Sequence, residues 1–384
     1  MLHASSVILV EVKTDDGLTG YGTVHGEPMK PICEWIKRFE EIVRGMDALG
    51  HVEVWEKLFL LTCPRPNGIQ GSGGLPPPLP RGARPQIMAA IACIDIALWD
   101  IKGKALGVPV YELLGGLSRD HIECYSTGFP YKGNLKDTAR ACVEAGFRAF
   151  RHGVADPPDG TTFNSHQMVR KSYEECVEIR EGVGKDGDWA IDYHTRLDMP
   201  DAIRLSTLIE PLEPYFCEDL IRSENPGVYR ELRKQVKVPI AVGEHFGARW
   251  DTNELIEQRL IDYSRVSIPN VGGITEYMKI AALCETHYVG LIPHFTGPLS
   301  EAALVHACGV FSGPVLMEML GDGTGKVRHL PDCYDFRNGK MWPNRRPGLG
   351  VTLDTKPLQL VAEITERSRP IPMFRRPDGS ITNW

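Results

Sequence analysis

The 384-residue chain has no Cys-x-x-Cys pair, no long apolar run and no basic tract. Its ten cysteines are scattered singly. In a chain this long they read as buried thiols in a reducing cytosol, not as a disulfide framework or a zinc site. No apolar stretch approaches the roughly 18 residues that suggest a membrane span, and Met1 is not followed by a basic-then-apolar leader. A cytoplasmic protein with no membrane partner is the expectation. A net charge of −7 and a pI near 6.0 argue against a nucleic-acid partner. What is present is an ordinary soluble composition, 42% hydrophobic and 24% charged. The length suits a barrel plus a smaller domain better than one simple core.

The pattern changes along the chain. Residues 6–13 read as a strand, and Asp15-Asp16-Gly17 turns it back into Leu18 to Tyr21. That hairpin makes the N-terminal region antiparallel α+β. Helices are expected around 29–46 and over 86–106. Between them, residues 64–82 are too dense in Pro and Gly for a regular element, and form a long loop that is either a lid or a tolerated insertion. From residue 122 onward, eight strand-like runs alternate with helical stretches: 122–126, 148–154, 189–193, 215–220, 240–243, 263–268, 290–293 and 315–319. That alternation predicts a TIM-like barrel. The expected division is a capping domain over 1–120, the barrel over 121–346, and a segment over 347–384 returning to the capping domain.

Three acids mark the barrel. Asp192, Glu218 and Glu244 stand 26 residues apart, each at the end of an apolar run. One such step spans a strand, a helix and two loops, so the carboxylates cap the C-terminal ends of three consecutive strands. Three hard oxygen ligands converging with room for water and substrate describe a Mg²⁺ site. His194 lies two residues beyond Asp192 and, in extended geometry, projects to the same side, with Arg196 following. His294 and Glu318 end the seventh and eighth runs and point into the same mouth.

These features resemble the enolase superfamily, mandelate racemase subgroup. The resemblance is carried by the three acids, by Gly272-Gly273-Ile-Thr-Glu276 and by Pro347-Gly-Leu-Gly350. It is carried equally by Leu98-Trp-Asp100-Ile-Lys-Gly-Lys104 running on to Leu113-Leu-Gly-Gly116. It covers nearly the whole chain and is nearest to acid-sugar dehydratases of the mannonate type, with some galactonate dehydratase features. It implies a modified (β/α)7β barrel, with an α+β capping domain completed by the C-terminal segment. It also implies Mg²⁺ on Asp192, Glu218 and Glu244. The chemistry would be removal of the proton α to a carboxylate, stabilisation of an enediolate and loss of the β-hydroxyl. By resemblance His194 is the general acid, and Arg151, Arg196 and Glu318 contact substrate.

The general base departs from every family pattern. His294 would be the base in the galactonate pattern, oriented by an Asp where this chain has Ser267. The mannonate pattern pairs the Arg at Arg151 with a Tyr where Phe163 stands, and the second strand offers no Lys-x-Lys. His294 is the expected base, with His152 and His166 as substitutes. Family members also begin with an extra strand and a covering loop, whereas this chain enters at the second strand. Either its start is truncated or the 64–82 loop does more of the covering.

The expected function is therefore Mg²⁺-dependent dehydration of a sugar acid, by a homo-oligomer acting on a small molecule. Two alternatives stand beside it: a racemase, epimerase or cycloisomerase of a hydroxy acid, and a metal-binding homologue without turnover.

Overall fold

The computed structural model describes residues 7–25, 29–61, 84–157, 159–295, 297–323, 335–354, 356 and 374–382. The 64–82 loop and Trp384 lie outside them. None of the described helices is long and apolar enough to cross a membrane. Among the described cysteines, seven are buried and Cys33 is partly exposed, all as free thiols.

The N-terminal region begins with the expected hairpin, β1 (Val7–Lys13) against β2 (Thr19–His25) in antiparallel register. Helices α1 (Met29–Val43), α2 (His51–Leu60), α3 (Arg84–Leu106) and the single turn α4 (Val110–Leu113) follow. The apolar, Ala-rich α3 is almost wholly buried because small side chains let it pass close beneath β2 and beside α1. Gly20 and Gly22 are needed there: a Cβ on Gly22 would lie 1.7 Å from the Cys93 carbonyl oxygen. Val24, Phe39, Trp55, Leu58 and Ile91 form a separate core in this region.

Eight parallel strands then form a ring. They are β3 (Ile122–Thr127), β4 (Ala149–Gly153), β5 (Asp188–Asp192), β6 (Phe216–Glu218), β7 (Ile240–Val242), β8 (Tyr263–Ser264), β9 (Gly290–Leu291) and β10 (Met317–Leu320). Neighbours from β3 to β9 pair in sequence order and β10 pairs back onto β3. A single bridge, Leu291 to Val315, joins β9 to the start of β10 and closes the circle. Helices α5 (Leu135–Glu144), α6 (Ser165–Val183), α7 (Met199–Ile209), α8 (Tyr229–Gln235), α9 (Arg249–Glu257), α10 (Ile274–Thr286) and α11 (Pro298–Val310) fill the seven connections. This is the expected (β/α)7β order. Inside the ring Tyr125, Ala149, Ala190, Phe216, Ala241, Ile292 and Leu316 form their own core, a filled interior with function left to the rim. A short hairpin of β11 (Asp335–Arg337) and β12 (Lys340–Trp342) extends the sheet beside β3.

The residues that carried the family resemblance are joints. Asp100 on α3 accepts from the Leu349 amide at 2.8 Å, the Tyr21 amide at 3.2 Å and Lys104 Nζ at 2.7 Å, tying α3 to β2 and to the 347–350 turn. Gly272 and Gly273 adopt φ of 93° and 104°, where a side chain is strained. They let α3 press onto the start of α10, where Asp95 accepts from the Thr275 amide at 3.0 Å. Residues 374–382 lie instead against the barrel: Phe374 stacks on Phe163, and the Arg375 amide donates to the Thr161 carbonyl.

Candidate active site

Asp192 and Glu218 are the last residues of β5 and β6 and pair directly in register. Glu244 stands two residues past β7, carried forward by Gly243 at φ 151°, where a Cβ would lie 2.7 Å from the Val266 amide. All three acids stand at the rim. Only the first two reach it as strand residues.

His194 also reaches the mouth differently from the extended geometry expected. The strand ends at Asp192, and His194 and Thr195 turn into left-handed conformations with φ of 49° and 57°. The turn is held by the His194 amide donating to Asp192 Oδ1 at 2.7 Å and the Thr195 amide to the Asp219 carbonyl at 3.0 Å. The imidazole then lies 3.6 Å from Asp192 and 3.8 Å from Glu244.

Sequence reasoning missed Arg265, one residue past β8 and fully buried. Its guanidinium bonds Glu218 and the Tyr125 hydroxyl, reaches Glu318 at 2.8 Å and lies 3.7 Å from Glu244. Arg151 bonds Asp192, lies 2.8 Å from Glu218 and 3.9 Å from Glu318. Two arginines therefore interleave the acids. The one local signal for Arg265 was a charge inside a strand-like run. Its partners come from β3, β6 and β10, which no spacing reveals.

Burial and charge together set the proton affinities. Burial opposes it, yet the two guanidiniums hold Glu218 below the usual carboxylate range and Glu318 well below it. Burial raises Asp192, partly offset by Arg151. Burial and the neighbouring Glu218 push Glu244 up to about 10, and burial and Glu218 drive Asp219 well above its ordinary value. Five carboxylates (Asp192, Glu218, Asp219, Glu244 and Glu318) share two guanidiniums. Asp219 has no hydrogen-bond partner on either oxygen among the described residues. Such a rim calls for more positive charge, and its oxygen-rich donors fit a divalent cation.

His294 follows β9, four strands round the ring of eight from β5, and so faces His194 across the mouth. Its Nε2 lies 3.7 Å from Glu244, while the buried Nδ1 has no partner among the described residues. Burial and Arg265 lower its pKa to about 4. Ser267 is buried with its hydroxyl likewise unpartnered. Glu318 accepts from the Thr127 hydroxyl at 2.7 Å and the Phe295 amide at 2.9 Å.

The remaining candidates lie aside. Arg196 bonds Asp156 at 2.7 Å and the Val154 carbonyl at 3.2 Å, along a cavity of about 280 Å³ shared with His152, Asp192 and His194. His152 turns to Glu175 at 3.4 Å, and His166 pairs with Arg204 on α7, away from the mouth. Phe163 is buried against Phe374. A hollow of about 770 Å³ sits between the β1–β2 hairpin, α1 and α3, and none of the rim residues lines it.

The family profile described as enolase C-terminal domain-like matches residues 134–357, and the mandelate racemase / muconate lactonizing enzyme N-terminal domain matches 77–115. The chain belongs to the enolase superfamily, mandelate racemase subgroup. A D-galactonate dehydratase of Pectobacterium atrosepticum is 32% identical, and a D-mannonate dehydratase of a Caulobacter species is 30% identical. Each alignment covers 98% of this chain and 96% of the relative. The crystal structure of a 3,6-anhydro-D-galactonate cycloisomerase from Zobellia galactanivorans superposes with a TM-score of 0.75. It is 28% identical, with 91% of this chain and 92% of that one covered. With such relatives along nearly its full length, this superfamily member is a carbon–oxygen lyase.

Proposed function

We propose that the protein dehydrates a sugar acid, with Mg²⁺ on Asp192, Glu218 and Glu244, His294 as base and His194 as acid. The observation that carries this reading is the placement of two histidines on opposite sides of one carboxylate. Glu244 has His194 near one oxygen and His294 near the other. A sugar acid lying over Glu244 would present its α-carbon to one imidazole and its β-hydroxyl to the other.

A bound divalent cation would supply positive charge against the enediolate that forms when the α-proton leaves. The chain's residues do the rest. His294, neutral at ordinary pH, accepts the α-proton. His194 delivers a proton to the departing hydroxyl, so that water leaves rather than hydroxide. Arg151 and Arg265 keep Glu218 and Glu318 ionised and fixed, and Arg196 borders the cavity beside His194 where hydroxyl groups would lie. A base this low in pKa and without an oriented partner is weak, so turnover should be slow; a well-placed base contributes roughly 10²–10⁴-fold.

The test is turnover of a panel of mono- and diacid sugars with Mg²⁺, for the wild type and His194→Asn. Dehydration by the wild type, abolished in the variant while Mg²⁺ binding and fold persist, is expected. Dehydration by His194→Asn at the wild-type rate would remove the acid assignment. A product that keeps its β-hydroxyl would move the enzyme to the racemase or cycloisomerase reading, and no turnover on any acid would leave a metal-binding homologue.

A further inference from the structure

Asp219 is the least explained group at the rim. It is 1% exposed, yet neither carboxylate oxygen has a hydrogen-bond partner among the described residues. Asp192, Glu218 and Glu318 each have a guanidinium within 3 Å. A buried ionised carboxylate without donors is costly, so it either keeps a proton or is compensated by something outside the chain. The neighbours of Asp219 say what that could be. His245 Nε2 lies 3.8 Å from Asp219 Oδ2 and 3.4 Å from Glu244 Oε1. One donor atom from each of Asp219, Glu244 and His245 falls within 4.8 Å of the others. The loops past β6 and β7 produce this convergence: Asp219 turns off its strand at φ 42°, and His245 follows Glu244 directly.

We propose that Asp219, Glu244 and His245 form a second divalent-cation position. It rests on the Mg²⁺ reading above only in sharing Glu244. Its donors differ in kind. Two carboxylates and an imidazole are a borderline set that suits Mn²⁺, Fe²⁺ or Zn²⁺ better than Mg²⁺, which prefers oxygen alone. The half-exposed His245 ring leaves this position open to solvent. Charge favours two cations as well. Once metal displaces the protons that burial keeps on Glu244 and Asp219, five carboxylates face two guanidiniums, and one divalent ion still leaves the rim negative. A second makes it positive by one charge, which an incoming carboxylate substrate would neutralise.

The experiment titrates metal-free, dialysed protein with Mn²⁺. Equilibrium dialysis counts the sites, and electron spin-echo spectroscopy detects nitrogen coordinated to the ion. Two Mn²⁺ per chain are expected, with nitrogen modulation from one of them. Asp219→Asn and His245→Gln should each lose one ion together with the nitrogen signal. Glu218→Gln should lose the other ion and keep the signal, and His194→Asn should keep the signal too. Because His245 is half exposed, His245→Gln keeps the test valid if Asp219→Asn fails to fold. One Mn²⁺ per chain, lost in Glu218→Gln and untouched by His245→Gln, would overturn the second position and leave the first standing. Absence of Mn²⁺ binding altogether would overturn both. At the second position Mn²⁺ should outcompete Mg²⁺ by about tenfold or more; equal affinities would refute the mixed donor set.

Discussion

Ser267 and Arg265 are two residues apart, and both are fully buried. Position 267 holds a serine rather than a carboxylate, the His294 Nδ1 has no partner among the described residues, and burial together with Arg265 lowers the basicity of the imidazole. Ser267→Asp should therefore raise turnover with any true substrate, provided the carboxylate fits the buried position. Steady-state kinetics across pH check it, and an unchanged rate would mean that His294 is not the base. Conversely, α-proton exchange with solvent deuterium should stop in His294→Asn. Persistence there, with loss in His152→Ala, would place the base on β4. Arg265 makes the opposite demand. Replacing it with Met leaves Glu218 with Arg151 alone and Glu318 with a guanidinium no nearer than 3.9 Å, which should destabilise the fold by about 3–5 kcal/mol in urea unfolding. The positions of the three spaced acids and His294 were legible because each ends a recognisable apolar run, and that of His194 because it follows Asp192 by two residues. Arg265, Asp219 and His245 were not, since their partners lie on other strands or their side chains are aimed by left-handed turns that no residue pattern announces.

At the level of elements, the joint between α3 and α10 leaves no room for a side chain. A Cβ on Gly273 would lie 2.2 Å from Asp95 Oδ2 and sit at φ 104°. Gly273→Ala should thus cost about 2–4 kcal/mol from strain and overpacking together, read as a lower urea midpoint with an unchanged slope. Asp95 gives this joint a pH dependence. Burial pushes its carboxyl up to about 7 from an ordinary 3.8. The folded state therefore holds the proton where the unfolded chain has released it. The contribution of Asp95 to stability is fully present below about pH 4 and is lost as pH rises towards 7. Asp95→Asn should flatten stability over that window, and a slope identical to the wild type would show that the group ionises normally. The strand and helix order was readable from alternation alone, including the hairpin and the Ala-rich α3. The glycine pair was readable as a motif, but its purpose depends on α3, which arrives from far away in the chain.

Across the whole molecule, the excess of acid at one end of the barrel makes the metal-free protein electrostatically strained and any cation that binds the folded form a stabiliser. At a free concentration one hundred times its dissociation constant, one bound ion should add about 2.7 kcal/mol. Thermal unfolding should show Tm climbing with Mg²⁺, and the climb should shrink in Glu218→Gln. An equal climb in that variant would mean that the ion binds elsewhere. The ring itself is uneven. β4 and β5 share a five-residue register, whereas β9 meets β10 through one bridge, with backbone bonds of 2.9 Å from Leu291 to Pro314 and 3.0 Å from Leu316 to Leu291. A cylinder so fastened has a seam, and a seam breathes. Amide hydrogens at Leu291 and Leu316 should exchange with deuterated solvent sooner than those at Ile191 and Cys217, because so few bonds must break to expose them. His294 and Glu318 flank that seam, so the side of the mouth where the base is proposed is the side free to yield, while the side proposed to hold the metal stays rigid.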